Sequence, residues 1–327
     1  LGKTGLKVSE IGLGAEWLER HSTQEVKAVV EACHQAGINI LDCWMPGPQV
    51  RSDLGAAIAG HRQDWIIQGH LGSTWQNGQY VRTRAMDKVI PAFEDLLGTD
   101  YIDLGMIHYV DEIEEYHQVM NGEFFAYARS LQQKGVIRHI GLSTHNPAVA
   151  RLAAQSGKIE MLLFSVNPAF DMMPSPGEVG EAYSGPGGTD GVIQERAQLY
   201  RLCERQGVGI TVMKGYAGGR LFDEKRSPFG VALTPVQCIH YALTRPAVAS
   251  VLAGYDTVEH VKAALAYETA SEAEKDYASA LYDAPRRAYS GQCTYCGHCQ
   301  PCPSGIDIAM VNKLSDLAEM QSALPES

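Results

Sequence analysis

The sequence predicts an α/β chain, a (β/α)8 TIM-type barrel followed by a small C-terminal extension. Three observations lead there. Short runs rich in Val and Ile alternate with amphipathic stretches long enough to be helices. Eight such runs fall within about 270 residues, the span such a barrel needs. The first run also lacks the Gly-x-Gly-x-x-Gly turn that a doubly wound dinucleotide-binding sheet would need, offering only Gly12 and Gly14.

The elements follow in order. IGLGAEW (11–17) reads as the first buried strand. TQEVKAVVEACHQAG reads as its helix, because Val26, Val29, Val30 and Cys33 fall on one face and the final glycine ends it. INILD (38–42), WIIQGH (65–70), YIDLGMIHY (101–109), VIRHIGLST (136–144), EMLLFSVN (160–167), GITVMKGY (209–216) and VASVLAGY (248–255) supply the other strands. The Gly- and Pro-rich connection 169–191 is too long for an ordinary barrel loop. It follows the sixth strand and so belongs to the C-terminal face, where barrel active sites sit. Residues 271–286 read as a further helix and 309–320 as a last one. The expected division is a barrel over 1–270 and an extension over 271–327.

The 327 residues are enough for one large barrel or two ordinary domains. The composition, 45% hydrophobic and 20% charged, is that of a soluble globular protein. No apolar run approaches the ~20 residues of a membrane helix, and no signal peptide opens the chain. It starts at Leu1 without a methionine, as a trimmed start would. A net charge of −11 argues against a nucleic-acid or acidic-membrane partner and leaves a small-molecule substrate. Cys33, Cys43, Cys203 and Cys238 are scattered, and Cys33 and Cys203 read as buried, inert thiols. This is no secreted disulfide framework, so a cytoplasmic protein is expected.

The tail CTYCGHCQPCPSGIDI concentrates the remaining cysteines: Cys293, Cys296, Cys299 and Cys302. Structural zinc usually takes two Cys-x-x-Cys pairs separated by a longer loop. Three successive two-residue gaps closed by Cys-Pro instead follow the wrapping of ferredoxins, so the expected group is a [4Fe–4S] cluster. Thiolate ligation by all four cysteines leaves the iron no open site, which favours electron transfer or structure. A clip for the extension and a redox role with an electron-transfer partner both stay open.

LGKTGLKVSEIGLGAEW, GVIRHIGLST, VMKGYAGGRL and TPVQCIHYAL…VASVLAGYDTVEHV resemble the aldo-keto reductases over nearly the whole chain. The cysteine tail is similar to the subset with a ferredoxin-like iron–sulfur segment. The resemblance implies a barrel, a nicotinamide cofactor, and hydride transfer between that cofactor and a carbonyl/alcohol or activated C=C substrate. The family's polar set is Asp, Tyr, Lys and His. Asp42 and His108 match at the ends of ILD and LGMIHY. The tyrosine is missing from CWMPGPQ after Asp42, and His70 stands where the Lys would be. On the same likeness Ser143 meets the carboxamide, Leu163 replaces a Gln, and Lys214, Gly254 and Thr257 line the cofactor site. Asp256 stands near the 2′-phosphate of NADP, which it would repel, so NAD(H) is expected over NADP(H).

His34, His61, His117, His139 and His240 fall in helices, turns or a strand body, where a solvated or hydrogen-bonded ring is the default. His70, His108 and Asp42 end barrel strands on the catalytic face, and His145 follows another. His108 is the expected proton donor, with His70 beside Asp42. A two-His, one-carboxylate metal set from the same three residues is a weaker reading. The alternative function is a non-redox lyase or isomerase using Asp42, His70, His108 and Lys214 for acid–base chemistry. Trp44, Trp75 and Tyr109 suggest a partly aromatic pocket.

Overall fold

A computed structural model describes residues 1–89, 98–172 and 194–282, with 304–306, 308, 311, 312 and 315 beyond them. Eight parallel strands close the barrel: β1 (Ile11–Gly14), β2 (Ile40–Cys43), β3 (Ile66–Leu71), β6 (Ile102–Ile107), β7 (Ile137–Thr144), β8 (Met161–Ser165), β9 (Gly209–Met213) and β10 (Val248–Gly254). The ring runs β1-β10-β9-β8-β7-β6-β3-β2. Every run expected to be a strand contributes one. The first is shorter than expected, because Ala15–Arg20 coils into a 3-10 helix after Gly14.

Strand β1 leads into α1 (Thr23–Gln35), which starts with a capping box between Ser22 and Glu25. It buries Val26, Val29, Val30 and Cys33. Gly37, at φ 78, ends it with bonds from Gly37 N to His34 O and from Ile38 N to Cys33 O. This pairing needs a residue at positive φ, which glycine adopts without a steric penalty.

Inside the barrel, Ile40, Leu104, Met106, Met161, Leu163 and Leu252 pack against one another. Gly141 marks tight packing there, since a Cβ on it would stand 2.5 Å from Met106 Sδ and 2.8 Å from Met161 Cγ. A larger cluster fills the layer between strands and helices. At the N-terminal end the first residues approach β9 closely, with Lys3 N bonded to Gly207 O at 2.7 Å.

An antiparallel hairpin, β4 (Ser73–Gln76) and β5 (Gln79–Arg82), interrupts the βα alternation between β3 and β6. Its two-residue turn puts Asn77 at φ 53 and Gly78 at φ 79, the Asn-Gly signature of a primed turn. The pairing sets Trp75 opposite Tyr80. Composition explains why it escapes a search for strands: STWQNGQYVR is polar and lacks an apolar run.

Past β10, Val258–Thr269 forms the last barrel helix. The single helix expected over 271–286 is instead two short ones, Glu272–Lys275 and Tyr277–Tyr282, broken where Asp276 leaves helical geometry at ψ 88. Residues 283–286, most of the connection 169–191, most of 309–320 and all four tail cysteines lie outside the described residues. Among the described residues no helix is long and apolar enough to cross a membrane.

Candidate active site

Barrel geometry brings Asp42, His70 and His108 together. Asp42 lies near the end of β2, His70 near the end of β3, and His108 just past β6. Neighbouring registers pair His70 with Met106, so the β3 and β6 ends align. His70 Nε2 lies 3.0 Å from Asp42 Oδ1, and His70 Nδ1 lies 2.7 Å from His108 Nδ1. Both rings are buried. The same Asp42 oxygen accepts from Gln68 Nε2 at 2.5 Å, and Thr211 Oγ1 donates to Gln68 Oε1 at 3.0 Å. Asp42 is thereby held by Gln68, which Thr211 in turn holds.

The chain of contacts does not end at His108. Its Nε2 lies 2.9 Å from Tyr80 Oη on β5. Tyr80 is 37% exposed, so the series runs from a buried carboxylate to a phenol that reaches solvent. Trp44 lies flat over His108, with centroids 5.8 Å apart and planes 10° apart, and meets Tyr80 edge-on at 5.6 Å. Both nitrogens of His108 are engaged and one face is covered. The group facing outward is Tyr80, not His108.

The hairpin carrying Tyr80 is held by charge. Arg82 and Arg84 each bond the Glu115 carboxylate at 2.9 Å. Arg84 Nη2 also donates to His108 O at 2.8 Å, and Arg82 Nη1 to Tyr109 O at 2.7 Å. Ser73 Oγ donates to Trp44 O. These cations matter to His108. Burial, then His70, Arg84 and Arg82, hold its pKa well below the usual imidazole value, so its ring stays neutral.

His145 sits apart from this series. Its Nδ1 is 2.9 Å from Asp111 Oδ2 and its amide donates to Asp111 Oδ1, which also accepts from Thr144 Oγ1. Burial pushes the Asp111 carboxyl up, but the His145 partner and these hydrogen bonds outweigh it and leave the pKa lowered. Tyr109, at φ 49, packs edge-on against the His145 ring at 5.4 Å. Trp75 is exposed on the hairpin.

The positions expected to line a cofactor site lie on the same C-terminal face. Ser143 is buried near the end of β7, and its hydroxyl makes no hydrogen bond among the described residues. Lys214 follows β9 at φ 57, a conformation uncommon for a non-glycine residue, and its carbonyl accepts from Asn167 Nδ2 at 2.8 Å. Gly254 ends β10 beneath the Trp17 indole, whose Cδ1 lies 2.2 Å from where a Cβ would be. Thr257 caps the Val258–Thr269 helix by accepting from His260 N. Asp256 bonds His260 Nδ1, and its other oxygen lies 4.0 Å from His21 Nε2. Leu163 belongs to the barrel interior. The scattered thiols are buried, and desolvation pushes Cys43 to about 11 and Cys33 and Cys203 to about 12.

Residue patterns alone missed Tyr80 and Gln68. The Asn-Gly turn between Trp75 and Tyr80 was the available signal for the first. Gln68, two residues before His70 and so on the same strand face, was the signal for the second.

The aldo/keto reductase family model matches residues 10–234, well over half of the chain. The chain belongs to the aldo/keto reductase family. It is therefore an oxidoreductase by family, and the lyase or isomerase reading is not favoured. A relative from Bacillus subtilis (strain 168), the uncharacterized oxidoreductase YqkF, is 26% identical over 286 residues, covering 80% of this chain and 88% of that protein. The holo form of the aldo-keto reductase AKR11C1 from Bacillus halodurans matches with a TM-score of 0.69 at 21% identity, over 89% of this chain and 97% of that one. An aldo/keto reductase from Klebsiella pneumoniae, in complex with NADP and acetate, matches with a TM-score of 0.57 at 17% identity, over 86% of this chain and 94% of that one. At these identities the solved structures speak for the fold.

Proposed function

We propose that this family member is a nicotinamide-dependent oxidoreductase acting on a carbonyl/alcohol pair or an activated C=C, with Tyr80 as its outermost acid. The observation that carries the reading is the unbroken series Asp42–His70–His108–Tyr80. It puts a phenol at the mouth although the tyrosine expected after Asp42 is missing.

Ser143, Lys214, Gly254 and Thr257 are the residues that would hold the cofactor. The fit is supported by the buried Ser143 hydroxyl, which has a donor and lone pairs to offer a carboxamide. It is also supported by the helix start at Thr257, whose first amides favour an anionic group. A bound nicotinamide would supply the hydride for the substrate carbon. NAD(H) is the proposed preference over NADP(H), on the charge of Asp256.

The residues of the chain manage the proton. With both rings neutral, one arrangement satisfies all three contacts: Tyr80 O–H donates to His108 Nε2, His108 Nδ1–H to His70 Nδ1, and His70 Nε2–H to Asp42 Oδ1. One additional proton reverses the outer two bonds. His70 then donates from both nitrogens, His108 Nε2–H donates to Tyr80 Oη, and the Tyr80 hydroxyl hydrogen can turn toward a substrate oxygen. His108 carries no extra charge in either arrangement, because burial and the neighbouring cations resist its protonation. When Tyr80 gives up its proton, one passes from His108 to Tyr80 and one from His70 to His108. Asp42 remains a carboxylate throughout.

We also propose a barrel over 1–270 and an extension over 271–327, in which Cys293, Cys296, Cys299 and Cys302 hold a [4Fe–4S] cluster. The support is the cysteine spacing. About four irons per chain after anaerobic purification is the expected result. A colourless protein with one zinc on these thiols refutes the cluster. For the cofactor, calorimetric titration with NADH and NADPH should give saturable binding, tighter for NADH. Tighter NADPH binding overturns the preference, and binding of neither overturns the function.

A further inference from the structure

We propose that His34, His61 and Asp64 form a divalent-cation site of the zinc class at the end of the barrel opposite the active site. His34 lies in the last turn of α1, and Asp64 ends a 3-10 turn over Arg62–Asp64, two residues before β3 starts. The three side chains each present one ligand atom, and these atoms lie within 4.8 Å of one another. His34 Nε2 is 3.1 Å and His61 Nδ1 is 3.6 Å from the same carboxylate oxygen, Asp64 Oδ2. A tetrahedral ion with bonds of about 2.0–2.1 Å has edges of roughly 3.3–3.4 Å, so the two distances bracket what such an ion needs. On these two edges the fit needs shifts of only a few tenths of an ångström, and the edge between the imidazole nitrogens is at most 4.8 Å.

The surroundings are consistent with a built site. The two imidazoles lean together, with centroids 4.6 Å apart, and His34 rests on the buried Trp65 ring. Asp64 N donates to His61 O and Trp65 N to Arg62 O, which fixes the turn carrying two of the ligands. Arg62, the cation nearest in sequence, is turned away onto Thr99, Tyr101 O and Asp103. One carboxylate with two neutral imidazoles carries a single negative charge and a nitrogen–oxygen donor set, which suits zinc better than calcium or magnesium. All three groups are partly exposed, so water can complete the coordination. The site would join α1 to the entry of β3 and hold no part of the reaction.

The test is a zinc titration of the full chain by calorimetry, beside the His34→Ala/His61→Ala double variant and Asp64→Asn. The tail cysteines are common to all three proteins, so differences isolate this site. The double variant should bind one zinc fewer per chain. Asp64→Asn, which preserves the shape of the turn, should bind that zinc at least about tenfold more weakly. Zinc should also raise the Tm of the unaltered protein more than that of either variant. Equal stoichiometry, affinity and Tm rise in all three proteins overturns the proposal.

Discussion

Replacing Tyr80 with Phe removes one hydroxyl and leaves the ring against Trp44. The lost contact is the 2.9 Å bond to His108 Nε2. Net hydrogen-bond contributions of about 0.5–1.5 kcal/mol bound the effect on stability, and the half-exposed position of Tyr80 keeps it toward the low end. The effect on turnover is far larger if Tyr80 is the acid. Removing a positioned acid costs about 10²–10⁴-fold, or roughly 3–5 kcal/mol of barrier. The assay is NADH oxidation against a panel of aldehydes, ketones and enones, with cofactor affinity and Tm measured on the same preparation. The expected result is a fall in kcat of at least about 100-fold with NADH affinity and Tm nearly unchanged. Because the series acts as a unit, Tyr80→Phe with His108→Ala should be no slower than the slower single variant. If Tyr80→Phe keeps most of its kcat, the proton comes from elsewhere, and Lys214 is the next residue to replace.

His108→Ala should lose turnover by a similar factor of about 10²–10⁴ while still binding cofactor, and His70→Ala somewhat less, since water can replace an inner ring more readily than the link to Tyr80. Near-full activity in His108→Ala would break the series. Stability should fall in acid, read by urea unfolding from pH 8 to pH 4. His108 is held neutral in the fold, so its contribution is present above the unfolded value of 6.5 and is lost as pH drops from there toward the folded value. Asp111, depressed below 3.8, keeps its contribution above that value and loses it as pH falls through the folded one. A flat profile from pH 8 to pH 4 contradicts the His108 assignment, whereas the Asp111 loss falls below that range. Gly141→Ala should cost about 1–3 kcal/mol, because its methyl would press on Met106 and Met161 within a filled barrel. An unchanged urea midpoint would mean that the interior has room to adjust.

The barrel was legible because a buried parallel strand needs apolar side chains on both faces, and every Val- and Ile-rich run named above became one. Asp42, His70 and His108 were legible for a related reason: barrel closure brings the ends of parallel strands to one face, wherever they lie in the chain. Which of them meets solvent was not. That depends on the β4–β5 hairpin, whose polar residues carry no core signal, and whose Tyr80 reaches His108 from 28 positions away. The neighbourhood of His34, His61 and Asp64 was hidden for the same reason. It depends on where α1 ends relative to the entry of β3, and no ligand spacing marks it.

Deuterium transfer from 4-deuterated NADH to the product of the most active carbonyl substrate tests the central claim most directly. The account predicts deuterium at the former carbonyl carbon, with its transfer slowed about 100-fold or more in Tyr80→Phe. Substrate turnover without nicotinamide, or a product free of deuterium, contradicts it.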